Sequence, residues 1–248
     1  MGTGDVDASL DDIAARMKTP GNSTVVFTGA GMSTDSGLTD FRSKDGLWGK
    51  VDPMELATSQ AMRCNYDVFH EFYSARFEQM GRSQPNAGHA IVAAWEARGL
   101  VSCVITQNID GLHAAAGSER IYELHGSVGS VRCMECGAPS TQDAFIGRIP
   151  CGTCGGRLRP GVVLFGESLP EDAMDSSWSA SESAGLFIVL GSSLNVSPAN
   201  QFPVIAHSAG ALVTICNRDA TQMDYIADYR THEGISEFLA RLDACLGD

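Results

Sequence analysis

Four short apolar runs punctuate the chain: Ser23–Thr28, Val101–Thr106, Leu186–Leu190 and Ala211–Cys216. They are rich in Val, Ile, Leu and Phe and too short for core helices, so they read as strands buried on both faces. Val162–Phe165 reads as a fifth. Between them, Leu10–Lys18, His89–Arg98 and Asn200–Ala209 carry the spacing of amphipathic helices, the first ended by Thr19-Pro20-Gly21-Asn22. Strands alternating with helices predict an α/β fold, a Rossmann-like, mostly parallel sheet with helices on both faces.

Two stretches break that rhythm. From Asp40 to Gln84 the chain is polar and aromatic-rich, which predicts a helical insert including a helix over Tyr66–Met80. Val131–Arg159 holds few large apolar residues, so a small lobe held together by something other than a core is expected there. Its cysteines supply the alternative. Cys133-x2-Cys136 and Cys151-x2-Cys154 are separated by fourteen residues, each pair in a knuckle-like turn. Two such knuckles can close a tetrahedral thiolate site around Zn(II), and four thiolates leave no open position, so the metal would be structural. Cys64, Cys103, Cys216 and Cys245 are isolated, and the last three sit in apolar company, as buried small hydrophobes do.

The charge narrows the partners. Seventeen Lys and Arg against thirty Asp and Glu give a formal net charge of -13, which argues against a nucleic-acid backbone as ligand. An acidic surface suits lysine-bearing protein substrates. The first ten residues lack the basic and apolar regions of a signal peptide, and no window approaches a membrane span, so a cytoplasmic protein without membrane contact is expected. The chain does not disclose an oligomeric state.

The chemistry collects at strand ends. Gln107-Asn108-Ile109-Asp110 follows the Val101–Thr106 run, and Leu124-His125-Gly126 comes shortly after. In open α/β sheets ligands bind beyond the carboxyl ends of strands. Gly29-Ala30-Gly31-Met32-Ser33 leaves the first strand and could offer backbone N–H groups to a pyrophosphate, or could simply be a turn. Thr34 stands where a third glycine would complete the dinucleotide fingerprint. Asp40-Phe41-Arg42, Trp48, Gly191-Ser192-Ser193 and Asn217-Arg218-Asp219 belong to the same edge.

In order and spacing, these motifs together with Arg159-Pro160 and Phe165-Gly166-Glu167 resemble the sirtuins, the NAD-dependent protein deacylases, from about Val25 to Asp228. The resemblance implies NAD as cosubstrate, one structural zinc and acylated-lysine proteins as partners. It implies that Gly29, Ala30, Gly31, Ser33, Asp40, Phe41, Arg42 and Trp48 line the NAD pocket, with Asp40-Phe41-Arg42 in a cofactor-binding loop. Asn108, Ile109 and Asp110 would hold the nicotinamide end, Gln107 the nicotinamide ribose, and Gly191, Ser192, Ser193, Asn217, Arg218 and Asp219 the adenosine side. Gly234-Ile235-Ser236 fits the adenine end poorly. Val163, Leu164, Phe165, Gly166 and Glu167 resemble the segment that pairs with substrate backbone.

His125 would be the general base, catalytic together with Asn108 and Asp110, since an imidazole near pKa 6.5 accepts a proton at neutral pH. The implied reaction passes the acyl group to ADP-ribose and releases nicotinamide. Domains at 1–41, 85–130 and 160–248 (Rossmann-like), 42–84 (helical insert with cofactor loop) and 131–159 (zinc lobe) are expected. Tyr73 and Arg76, three apart on a helix, resemble the Tyr-x-x-Arg pair of the sirtuin branch that removes succinyl and malonyl groups. The alternatives are a mono-ADP-ribosyltransferase, which shares the NAD cleavage, and a non-catalytic NAD-binding module.

Overall fold

The computed structural model describes residues 9–40 and 56–247. Six parallel strands form the main sheet in the order β3-β2-β1-β7-β8-β9. They are β1 (Thr24–Thr28), β2 (Cys103–Thr106), β3 (Ile121–Glu123), β7 (Leu186–Leu190), β8 (Leu212–Cys216) and β9 (Tyr229–Thr231). Every residue of β1, β2 and β7 is buried. Their alternation divides the core in two. Val26, Val104 and Ile188 face helices Leu10–Lys18, Ala87–Ala97 and Ile235–Leu246, while Val25, Phe27, Ile105 and Phe187 face the other layer, where Phe202 and Ala206 pack from helix Gln201–Ser208. Helix Leu10–Lys18 begins at a capping box, in which Ser9 and Asp12 each bond the other's backbone N–H.

The strand order reverses direction between β1 and β7. The connections leaving their carboxyl ends therefore part to opposite faces of the sheet and leave a crevice, the place where doubly wound sheets bind ligands.

A second sheet is antiparallel, in the order β5-β4-β6, with β4 at Gly126–Cys133, β5 at Pro139–Ser140 and β6 at Leu158–Val162. The strand expected at Val162–Phe165 is displaced by this arrangement. Pairing with β4 runs from Cys133↔Leu158 to Gly126↔Val162, so the strand precedes the expected segment and belongs to the small sheet. The lobe also has a core, contrary to expectation. Val131, Phe145 and Leu158 are buried in one cluster with Phe69, Tyr73 and Phe77 from helix Tyr66–Arg82. The lobe is poor in large apolar residues because the insert helix supplies them. Among the described residues no helix is long and apolar enough to cross a membrane.

Candidate active site

Gly29 ends β1 against the end of β7, and the contact is backbone on backbone. Gly29 N–H donates to Leu190 O at 3.0 Å and Gly31 N–H to Gly191 O at 2.9 Å. A Cβ on Gly31 would stand 2.7 Å from Gly191 Cα, and one on Gly191, whose φ is +62°, 2.6 Å from Gly31 C. The sequence left these amides either open to a pyrophosphate or part of a simple turn. In the structure the Gly29 and Gly31 amides are engaged by the neighbouring strand end, and the glycines serve close approach.

Beside this corner lies a cavity of about 460 Å³, whose wall includes Gly29, Ala30, Gly31, Asp40, Gln107, Asn108, Gly191, Ser192, Ser193, Asn217, Arg218 and Asp219. His232, Glu233 and Ile235 also line it. Sequence reasoning passed over His232 and Glu233 and rated Ile235 weakly; their position just beyond β9, one more strand end on this edge, was the available signal. Arg218 pairs with Asp40 at 3.4 Å, joining the end of β8 to the start of the expected cofactor loop. Phe41, Arg42 and Trp48 lie outside the described residues.

Three further expected cofactor residues do not line this cavity. Ser33 and Asp110 line neither this cavity nor the one beside it, and Ile109 lines only the latter. Ser33 is buried and its hydroxyl donates to Asp110 Oδ2 at 2.8 Å. Asn108 Nδ2 donates to Gly29 O at 3.0 Å and to Ser33 Oγ at 3.2 Å, while Asp110 Oδ1 accepts Leu112 N–H at 2.9 Å. Thus Ser33 and Asp110 act as supports that orient Asn108 and the turn after β2.

Beneath that turn runs a buried polar chain. Thr28 and Thr106 hydroxyls are bonded at 2.8 Å, Asn108 N–H donates to Thr106 Oγ1 at 3.0 Å, and His113 Nε2 meets Thr28 Oγ1 at 3.1 Å. Burial, and the His89 ring beside it, push His113 down to about 3, so it is neutral at physiological pH.

The second cavity, about 470 Å³, is lined mainly by apolar groups, among them Phe72, Tyr73, Ile109, Val163, Leu164, Phe165, Leu169 and Met174, with Gly166 and Arg76. Tyr73 and Arg76 come from helix Tyr66–Arg82 and are 5% and 7% exposed. Arg76 Nη1 donates to Gln79 Oε1 at 2.9 Å. Burial lowers the Arg76 pKa while Tyr73 and Asp110 oppose the shift, and burial keeps Tyr73 a phenol. The Val196-Ser197-Pro198 stretch beyond β7 completes the wall.

Gln107, His125 and Val196 line both cavities. Gln107 Nε2 donates to Ser192 Oγ at 2.8 Å, and its carbonyl oxygen lies 2.9 Å from His125 Nδ1. A carbonyl only accepts, so the neutral ring carries its proton on Nδ1 and keeps its lone pair on Nε2.

The four lobe cysteines line neither cavity. Their sulfurs lie within 4.8 Å of one another, with Cys133–Cys154 at 3.5 Å and Cys136–Cys151 at 3.7 Å. Zn–S bonds near 2.3 Å place tetrahedral thiolates about 3.8 Å apart, so the set fits Zn(II) and is far too long for disulfides. Glu135 N–H and Thr153 N–H donate to the Cys133 and Cys151 sulfurs, each at 3.4 Å, as in a zinc knuckle.

A model described as the Sir2 family matches residues 29–198. An "NAD-dependent protein deacetylase 1" of Geobacillus kaustophilus is 48% identical over 227 residues, covering 91% of this chain and 94% of the relative. An "NAD-dependent protein deacylase" of Aquifex aeolicus is 43% identical over 221 residues, covering 88% and 92%. The fold superposes on a mutant Sir2 homologue bound to ADP-ribose with a TM-score of 0.90, 36% identity and 94% of each chain covered. It also superposes on a Sir2 complex with a deacetylated p53 peptide and 3′-O-acetyl ADP-ribose, at a TM-score of 0.89, 34% identity and coverage of 96% and 98%.

Proposed function

The chain belongs to the Sir2 family of NAD-dependent protein deacylases, and on that premise we propose that His125 is its general base and that the apolar cavity beside it receives acyl-lysine, acidic acyl groups included. The observation that carries this reading is the position of His125. It is the titratable side chain that lines both cavities, one polar and at the strand-end crevice, the other apolar and open to the 163–166 edge.

NAD, bound in the first cavity, supplies an electrophilic ribose carbon whose leaving group is neutral nicotinamide. Asn108, held by Gly29 O and Ser33, orients the nicotinamide end, with Asp110 and Ser33 behind it. Gln107, tied to Ser192, stands where the two cavities meet. His125 Nε2 accepts the proton of a ribose hydroxyl, and Gln107 O steadies the ring through Nδ1 as it becomes positive. With NAD bound, nicotinamide would leave the ribose carbon, and the acyl group would pass from the lysine nitrogen to the ribose hydroxyl, freeing the lysine amine. The apolar walls exclude solvent around the lysine chain. In the same reading 1–41, 85–130 and 160–248 form the Rossmann-like unit, 42–84 the insert and 131–159 the zinc lobe.

The acidic-acyl preference rests on Tyr73 and Arg76, both buried in the cavity wall. A guanidinium pairs with a carboxylate bidentately, and a water-poor site strengthens that pairing. An acetyl group forgoes it without a clash. The test follows nicotinamide release and peptide mass together for acetyl, malonyl and succinyl peptides. Arg76→Met is expected to cost desuccinylation at least about tenfold more than deacetylation, the size of one charge-assisted pair. Equal losses on both substrates would remove the acidic preference, and nicotinamide release without deacylation would favour ADP-ribosyl transfer.

A further inference from the structure

Beyond β6 the chain from Val163 to Leu169 walls the acyl cavity without regular secondary structure. An irregular segment beside a ligand must have its backbone groups satisfied locally to keep one shape. Here a half-buried ion pair, Arg159 with Glu167, supplies part of that, and contacts to His125 and Ala57 supply the rest. Arg159 is 5% exposed and lines neither cavity. Its Nη1 donates to Glu167 Oε1 at 2.5 Å, and its Nη2 to Glu167 Oε2 at 2.9 Å and to Val162 O at 2.7 Å. Its Nε reaches Pro160 O at 3.3 Å. Glu167 Oε2 also accepts Leu164 N–H at 2.9 Å, and Glu167 N–H returns to Leu164 O at 3.0 Å. The turn from Arg159 to Glu167 is thus closed around a single guanidinium and a single carboxylate.

The closed turn reaches the chemistry on one side and the insert on the other. Val163 N–H donates to His125 O at 2.8 Å. Phe165 N–H donates to Ala57 O at 2.8 Å, and Ser59 N–H to Phe165 O at 3.4 Å. Burial works against the Glu167 charge, yet the Arg159 hydrogen bond, the Leu164 amide and the Arg159 charge together hold its carboxyl below the ordinary value. A buried pair is a poor source of bulk stability, since an apolar replacement can hold a core as well. What an apolar pair could not do is bind three carbonyl and carboxylate partners in one plane, which a guanidinium does and an ammonium does not.

We propose that Arg159 and Glu167 are positioning residues for the acylated peptide: together they hold the 163–166 edge in the single shape with which substrate backbone pairs, and they take no part in NAD binding. This rests on reading that edge as the substrate strand.

The experiment measures acyl-peptide affinity by fluorescence anisotropy and ADP-ribose affinity by calorimetry on the full chain, with steady-state KM and kcat for the peptide. Arg159→Met and Arg159→Lys are each expected to raise the peptide Kd and KM at least about tenfold, with a smaller change in kcat and ADP-ribose affinity within about twofold of wild type. Glu167→Gln, which preserves shape, is expected to act in the same direction and decides the matter alone should Arg159→Met fail to fold. Peptide affinity unchanged within about twofold, or ADP-ribose affinity falling in step with it, overturns the proposal. A peptide N-methylated just after the acyl-lysine separates the two ways of failing. If wild type binds it as well as the parent peptide, the substrate-strand reading falls and the positioning role with it. If wild type rejects it while the Arg159 variants bind the parent normally, the positioning role alone falls.

Discussion

The two cavities share Gln107, His125 and Val196 and are built in opposite ways. The cofactor side is framed by the main chain, with side chains such as Gln107, Asn108 and Arg218 set on that frame. Strand ends of one parallel sheet converge, and glycines let β1 and β7 touch backbone to backbone. The apolar side is made by side chains from many segments, chiefly the insert helix, the turn after β6 and the stretch after β7, with Ala57, Gln107, Ile109, His125 and Met174 between them. A backbone corner such as Gly31 against Gly191 is intolerant of an added Cβ. A site made of side chains can change its ligand without rebuilding the sheet, but it depends on everything that holds those segments in place.

Removing zinc breaks this comparison most severely. Cys133 and Cys151 are buried in the cluster that also holds Phe69, Tyr73 and Phe145, so the lobe and the acyl-side helix share one core. Structural zinc contributes on the order of 10 kcal/mol to such small folds. Verified zinc-free protein is expected to lose deacylation and acyl-peptide binding while retaining measurable ADP-ribose affinity, because none of the cofactor cavity derives from the lobe. Full deacylation without zinc would refute the shared core as the support of the acyl side.

Next in size is His125→Ala, which acts where the cavities meet. Turnover is expected to fall about 10²- to 10⁴-fold, the range for loss of a general base, with ADP-ribose and peptide affinities close to wild type. Near wild-type turnover in the variant would take His125 out of the mechanism.

Gly31→Ala tests the backbone corner by itself. Its Cβ would meet Gly191 Cα at 2.7 Å, so the strand ends must part, at a cost of about 1–3 kcal/mol and at least tenfold in ADP-ribose affinity. Peptide affinity should change less than cofactor affinity. Calorimetry with each ligand reads the difference, and an equal loss would mean that the corner supports both sides.

The smallest effect concerns the polar chain under the cofactor turn. His113 ordinarily titrates at 6.5 and is depressed to about 3 in the fold, first by burial and then by His89. Its neutral state contributes fully above pH 6.5, and that contribution is lost progressively as pH falls toward 3, because only the unfolded chain takes up the proton. By pH 5 the loss from this residue is about 2 kcal/mol. His89, also lowered by burial, adds in the same direction. Denaturant melts at pH 7 and pH 5 should show the loss, and His113→Gln should make it smaller; an unchanged pH slope in that variant would acquit His113.

The central strands were legible because parallel strands buried on both faces must be apolar runs, and β1, β2, β7 and β8 fall within one or two residues of the expected limits. Helix Leu10–Lys18 was legible through its amphipathic spacing and through Thr19-Pro20 at its end, whereas the Ser9–Asp12 capping box emerged from the structure. The small sheet was not. β4 carries Gly, Ser and Arg and is partly exposed, and β6 is a short run holding Arg159, Pro160 and Gly161, so no periodicity marks them. The lobe's core escaped detection because Phe145 packs against Phe77 and His70, residues of a helix far away in sequence.

By itself, the sequence determined the parallel α/β sheet, the thiolate knuckles and the inventory of reactive side chains, because each of these is local: a strand, a turn or a motif carries its own pattern. Only the tertiary structure decided which of those groups stand together and which lie behind them. Ser33 and Asp110 were placed behind Asn108, Gly31 against Gly191, and His125 between two cavities, by contacts spanning 75 residues or more in the first case. Spacing along a chain does not encode which faces meet across a sheet; close packing of the two cores on either side of it does.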